Sequence, residues 1–151
     1  MAKVCVFLAE GFEEVEGLTV VDLLRRAGEE VLMVSIGTSL EVTGSHGIKV
    51  SADRLFEEAD YSEADMLVLP GGMPGTLHLG EHKGLTELLI KFNEAGKKVA
   101  AICAAPGVFG ANGILKGRKA TCYPGCEEKL KGAVLSEEAV VRDKNVTTSR
   151  G

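Results

Sequence analysis

The hydrophobic positions of this chain change period several times, and each change marks an element. KVCVFLA (3–9) is a continuous apolar run with β-branched residues, closed off by Gly11, the pattern of a strand buried on both faces. EEVEGLTVVDLLRRAG (13–28) switches to helical spacing through Val15, Leu18, Val21 or Asp22, and Leu24 or Arg25. Arg25 and Arg26 lie in its last turn and Gly28 stands where a C-terminal cap belongs. EVLMVSIG (30–37) reads as a second buried strand. LEVTGSHGIKVSAD (40–53) alternates loosely around Gly44-Ser45-His46-Gly47, as a hairpin does. DMLVLPGG (65–72) is a third core strand stopped by Pro70. HKGLTELLIKFNEAG (82–96) sets Leu85, Leu88, Leu89 and Phe92 on one helical stripe that Gly96 ends. KKVAAIC (97–103) is a fourth core strand, and AAPGVFGANGIL (104–115) a short helix weakened by glycine. KATCYP (119–124), EEAVVRD (137–143) and NVTTS (145–149) supply further short strands.

Strands that alternate with helices of this length predict a mostly parallel sheet covered by helices on both faces, a doubly wound α/β architecture in a single domain over 1–151. Ligands of such folds sit beyond the carboxyl ends of the strands. Three segments deliver unusual residues to that edge: EGFEEVE after the first strand, PGGMPG after the third, and CAAPG after the fourth.

Composition narrows the chemistry. The 151 residues are 45% hydrophobic and 26% charged, an ordinary globular balance, and the net charge is −5. Aromatic residues and basic runs are both sparse, which argues against nucleic acid as a partner. No apolar stretch approaches the roughly 20 residues that span a bilayer, and MAKVCVFLAEGFEE lacks the features of a signal peptide. Four cysteines in that setting suggest reduced thiols and a cytoplasmic location.

Cys103 ends an apolar strand where a helix begins. A helix N-terminus favours thiolate over thiol, and a sharp strand-to-helix turn lifts a side chain out of the sheet. The same residue could instead be buried filler, since free cysteines pack as small hydrophobes. Glu13, Glu14 and Glu16 follow the first strand on the same edge. A carboxyl in a partly apolar site holds its proton to higher pH and can exchange it with a neighbouring sulfur, although first-turn acids also complement a helix dipole. Glu16 lies one turn behind Glu13, and Glu14 is expected to point elsewhere. Gly71 and Gly72 can turn backbone N–H groups toward an anion or simply form a tight connection. Cys5 reads as core. Cys122 and Cys126 form C-x3-C, neither a C-x2-C redox pair nor half of a zinc site, and either could trap an oxidised Cys103. No metal or cofactor site is expected.

Taken together, FLAEGFEEVE, DLLRRAG, VLPGGMPG, VAAICAAP, KATCYP and NVTTSRG resemble the ThiJ/PfpI superfamily, close to its Parkinson-disease-protein deglycase and glutathione-independent glyoxalase branch. The resemblance runs over nearly the whole chain. It implies a flavodoxin-like fold, a homodimer with Arg26 and the hairpin near its interface, and a nucleophilic cysteine at a strained elbow. By position, Cys103 matches the nucleophile and Glu16 the acid that hydrogen-bonds it. Gly72 and Ala104 match the backbone donors of the oxyanion site, with Gly71 beside them. Tyr123 stands where close relatives often carry histidine, and His46 where many carry arginine, so both are placed in the surroundings of the site. Relatives continue past TSRG with Pro-Gly and a further helix, so a C-terminal helix absent from this chain, or a cleaved fragment carrying it, is expected.

The resemblance implies addition of the Cys103 sulfur to glyoxal or methylglyoxal, giving a hydroxy acid without glutathione or metal. The alternative is an oxidative-stress sensor that uses the same sulfur without turnover. An amidotransferase or peptidase is disfavoured, because those need a downstream histidine and none occurs after His82.

Overall fold

The computed structural model describes residues 1–151. Its centre is a seven-stranded sheet ordered β10-β11-β7-β6-β1-β2-β5. These strands are β1 (Lys3–Leu8), β2 (Glu30–Ser35), β5 (Arg54–Leu55), β6 (Met66–Leu69), β7 (Lys98–Ile102), β10 (Val140–Asp143) and β11 (Val146–Ser149). Every pairing is parallel except β10 with β11, so the doubly wound architecture expected from the pattern, and the flavodoxin-like fold that the resemblance implies, are present. Two small sheets stand apart. One is the hairpin β3 (Glu41–Thr43) with β4 (Lys49–Ser51), and the other pairs β8 (Lys119–Ala120) with β9 (Val134–Leu135).

β1 shows why a run without polar alternation becomes a central strand. Its side chains alternate between two cores: Cys5, Phe7 and Ala9 enter one, Val4, Val6 and Leu8 the other. Val6, Phe7 and Leu8 are fully buried, each worth about 1.5–3 kcal/mol of transfer free energy. On the larger core pack α2 (Gly75–Glu81), α3 (Lys83–Glu94) and α4 (Pro106–Ala111) through Leu79, Leu85, Leu89, Phe92 and Phe109. On the other lies α1 (Glu14–Arg26), through Val21 and Leu24. His82 starts α3 by accepting the Leu85 N–H at Nδ1, 2.9 Å away. No helix is long and apolar enough to cross a membrane.

Two expectations need correction. Val15 is 70% exposed, and the buried positions of α1 are Glu14, Gly17 and Val21. The helix is rotated because Glu14 turns inward to the hairpin, which swings Val15 out. Residues 75–81, unassigned in the sequence, form α2. The proline and glycine punctuation of PGGMPG hides a helix of only two turns whose inner face is Gly75, Thr76 and Leu79.

Candidate active site

β7 runs out at Ile102, and Cys103 leaves it with φ of 65°, a left-handed conformation that costs a non-glycine residue about 1–3 kcal/mol. The turn is locked from both sides. The Cys103 N–H donates to the Ser149 carbonyl of β11 at 2.9 Å, and the Cys103 carbonyl accepts the Tyr123 N–H at 2.8 Å. The expected elbow is therefore built, and it holds the sulfur half-buried at the carboxyl edge of the sheet.

Glu16 comes from α1 to stand beside this sulfur: one β-carbon placed on Gly151 would lie 3.0 Å from Glu16 Oε2 and 3.3 Å from Cys103 Sγ. Its Oε1 accepts the Gly71 N–H at 3.0 Å. Gly71 is the spacer between the pair: a β-carbon there would lie 2.6 Å from Glu16 Oε1 and 2.7 Å from Cys103 Cβ. Gly71 is thus committed to the acid and is not a free oxyanion donor, contrary to expectation. Gly72 and Ala104 donate to no backbone carbonyl, which leaves both N–H groups free for another acceptor. Gly72 has φ of 94°, and a β-carbon on it would meet the Glu13 nitrogen at 2.4 Å, so only glycine fits against the β1–α1 loop.

The electrostatics differ from the sequence expectation. α4 begins at Pro106, with Ala105 as its N-cap, so the helix does not start directly after Cys103. Burial, then the charge and hydrogen bond of the Glu16 carboxylate, push the Cys103 thiol up to about 11, against a smaller opposing pull from the Ala104 N–H. Burial likewise raises Glu16, helped by the negative charge of Glu13, while the hydrogen bonds from Cys103 and Gly71 resist. Both members hold protons more firmly than usual, Glu16 chiefly through burial and Cys103 through burial and the neighbouring carboxylate. Protonating Glu16 removes the charge that raises the thiol and makes the acid a donor to sulfur. The titration of the thiol therefore depends on the state of Glu16.

His46 and Tyr123 are not brought onto the sulfur. Tyr123 contributes its backbone N–H, and its side chain is 54% exposed. His46, at the hairpin tip, packs on the start of α1. Its Nδ1 lies 3.0 Å from Glu14 Oε1 and 3.6 Å from Glu13 Oε2, and these partners raise its pKa. Glu14 Oε2 also accepts the His46 and Ile48 N–H groups at 2.8 and 3.2 Å. Against its own burial these donors pull Glu14 down to about 2. Glu14 thus points away from Cys103 as expected, and serves as the peg that fixes the hairpin.

One neighbour escaped the sequence reading. A β-carbon at Gly151 would lie 3.0 Å from Glu16 Oε2 and 3.3 Å from Cys103 Sγ, so the backbone after β11 passes directly over the pair. The signal lay in TSRG, where a glycine follows a strand adjacent to β7.

Residues 2–151 match the DJ-1/PfpI family. Protein DJ-1 homologs B and A of Arabidopsis thaliana are 40% and 42% identical over 150 and 149 residues; the chain spans 34% and 38% of their lengths. A Pyrococcus abyssi protein named a deglycase is 37% identical over 151 residues, covering 98% of this chain and 89% of that one. Among solved structures, oxidized Toxoplasma gondii DJ-1 superposes with a TM-score of 0.95 at 36% identity, covering 100% of this chain and 83% of that one.

Proposed function

The chain belongs to the DJ-1/PfpI family, and from that membership and the geometry of its elbow we propose that it detoxifies small reactive aldehydes with Cys103 as nucleophile and Glu16 as proton carrier. The observation that carries this reading is the meeting of Glu16 and Cys103 at Gly71, beside the strained turn that holds the sulfur at the sheet edge. Relatives named deglycases favour chemistry of this class.

With methylglyoxal, the Cys103 sulfur bonds to the aldehyde carbon while the thiol proton passes to Glu16. The aldehyde oxygen takes up negative charge facing the Gly72 and Ala104 N–H groups, then accepts the proton back, giving a hemithioacetal. Glu16 next removes the hydrogen on that carbon as a proton and returns it to the adjacent carbonyl carbon. The hydroxyl proton moves to the former ketone oxygen, so the ketone becomes an alcohol and the sulfur-bearing carbon a carbonyl. The product is a thioester of lactate on Cys103. Water cleaves it, releasing lactate and restoring the thiol. A carboxyl with a raised pKa suits this work, because it is a stronger base than an ordinary carboxylate and can still return the proton.

The test is lactate formation from methylglyoxal without glutathione. Cys103→Ser is expected to abolish it, and Glu16→Gln to lower kcat by about 10²–10⁴-fold. Lactate formed at the wild-type rate by Cys103→Ser would overturn the proposal. A second reading, redox sensing at the same sulfur, draws on the half-buried thiol and on a relative solved in an oxidized form. We further propose a homodimer through α1 and the hairpin, where Val15, Leu23 and Ile48 stand exposed.

A further inference from the structure

The aldehyde chemistry uses one cysteine, yet a second lies on the turn that braces the elbow. Tyr123 is hydrogen-bonded directly to Cys103, and the Cys126 N–H closes the next turn on the Tyr123 carbonyl at 3.0 Å. The hydrogen-bonded turn keeps the Cys126 Cα within about 7 Å of that of Tyr123. Cys103 and Cys126 are both half-buried and so within reach of a small solute. Cys122 differs: it is 4% exposed, and its thiol donates to the Tyr123 carbonyl at 3.4 Å. The segment has room to shift, since a cavity of about 240 Å³ lined by Cys122, Pro124 and Glu127 lies along it. Gly125, at φ of 102°, supplies a pivot beside Cys126.

We propose that Cys126 is the resolving thiol of Cys103, so that a hydroperoxide converts the pair into an intramolecular disulfide. The Cys103 sulfur attacks one peroxide oxygen, an S–O bond forms, and the O–O bond breaks. The departing oxygen leaves with the thiol proton as water or an alcohol. The sulfur is oxidised by two electrons and the peroxide reduced by two. The Cys126 sulfur then bonds to the Cys103 sulfur, the S–O bond breaks, and hydroxide leaves with the Cys126 proton as water. The turn has to bring the two Cα atoms to roughly 4.4–6.8 Å, the range a disulfide spans. The product is reversible by thiol exchange, and its formation diverts Cys103 from the sulfinic acid, which thiols do not reverse.

The proposal rests on Cys103 being the reactive sulfur, and the experiment separates the two. Reduced wild type, Cys126→Ser and Cys126→Ala receive one equivalent of hydrogen peroxide, then N-ethylmaleimide, followed by intact mass and peptide mapping. Wild type is expected to lose two hydrogens and yield a linked Cys103–Cys126 peptide pair. Both variants are expected to gain oxygen at Cys103 while retaining wild-type turnover of methylglyoxal when reduced. Oxygen gained at Cys103 in wild type with Cys126 still alkylated would overturn the proposal, as would a disulfide to Cys122. Peroxide that leaves Cys103 untouched in a protein that turns over methylglyoxal overturns this proposal alone. If turnover is also absent, the reading of Cys103 falls with it.

Discussion

Gly71→Ala isolates the contact on which the site depends. Gly71 itself is not among the residues with left-handed φ, so the backbone accepts alanine and the entire effect is steric. The added β-carbon would sit 2.6 Å from Glu16 Oε1, 2.7 Å from Cys103 Cβ and 2.9 Å from the Ile102 carbonyl oxygen, where ordinary contacts begin at 3.4 Å. Relief requires a movement of about 0.8 Å, which stretches the 3.0 Å bond from the Gly71 N–H to Glu16 beyond hydrogen-bonding range. A hydrogen bond to a charged group is worth about 1.5–3 kcal/mol net. At a factor of ten per 1.4 kcal/mol, kcat/KM for methylglyoxal should fall by roughly 10–150-fold. Overpacking should also lower stability by about 1–3 kcal/mol, or roughly 2–4 °C in Tm for each kcal/mol. Gly80→Ala is the matched control. Its β-carbon meets only Val108 at 3.8 Å, so activity should be unchanged and stability slightly raised. Wild-type kcat/KM in Gly71→Ala, assayed well below its Tm, would refute the claim that Gly71 sets the spacing of the pair.

Glu14 should dominate part of the acid limb of stability. Its folded pKa of about 2 lies below the ordinary 4.5, so its contribution is full above 4.5 and is lost as pH falls toward 2. Glu14→Gln should therefore be less stable at neutral pH and show a flatter urea midpoint across that window; an unchanged acid limb would contradict the role of hairpin peg. For the dimer, sedimentation velocity should report two chains for wild type, and Val15→Glu should shift it toward monomer with little loss of monomer stability, because Val15 is 70% exposed. A wild-type monomer at micromolar concentration would end that proposal.

Much of the fold was legible because its strands are buried on both faces. A run such as Val4–Leu8 has no polar position to spare, and the parallel topology follows from the helices between such runs. The elbow was legible for a related reason: an apolar strand that stops at a cysteine and is followed by Pro106 leaves the chain little room to turn. What stayed hidden depended on partners distant in sequence. Val15 fits a helical stripe, yet Glu14 takes the inward position because hairpin N–H groups more than 30 residues away satisfy its carboxylate. Gly71 and Gly72 look equivalent in PGG, but Glu16, 55 residues away, claims one of the two N–H groups. The rise of the Cys103 pKa was equally invisible, since local sequence suggests a helix terminus and only tertiary packing shows that burial and Glu16 prevail. Gly151 joins the site only because β11 pairs with β7.

The influence of Glu16 on Cys103 is tested most directly by the rate of Cys103 alkylation against pH, in wild type and in Glu16→Gln, with Cys122 and Cys126 replaced by serine in both. Burial and the Glu16 carboxylate predict a wild-type thiol that stays little reactive at neutral pH and rises in reactivity toward about 11. Glu16→Gln should move that rise to lower pH, because the charge that raised the thiol is gone. A single titration at the value of a free thiol, the same in both proteins, would contradict the account.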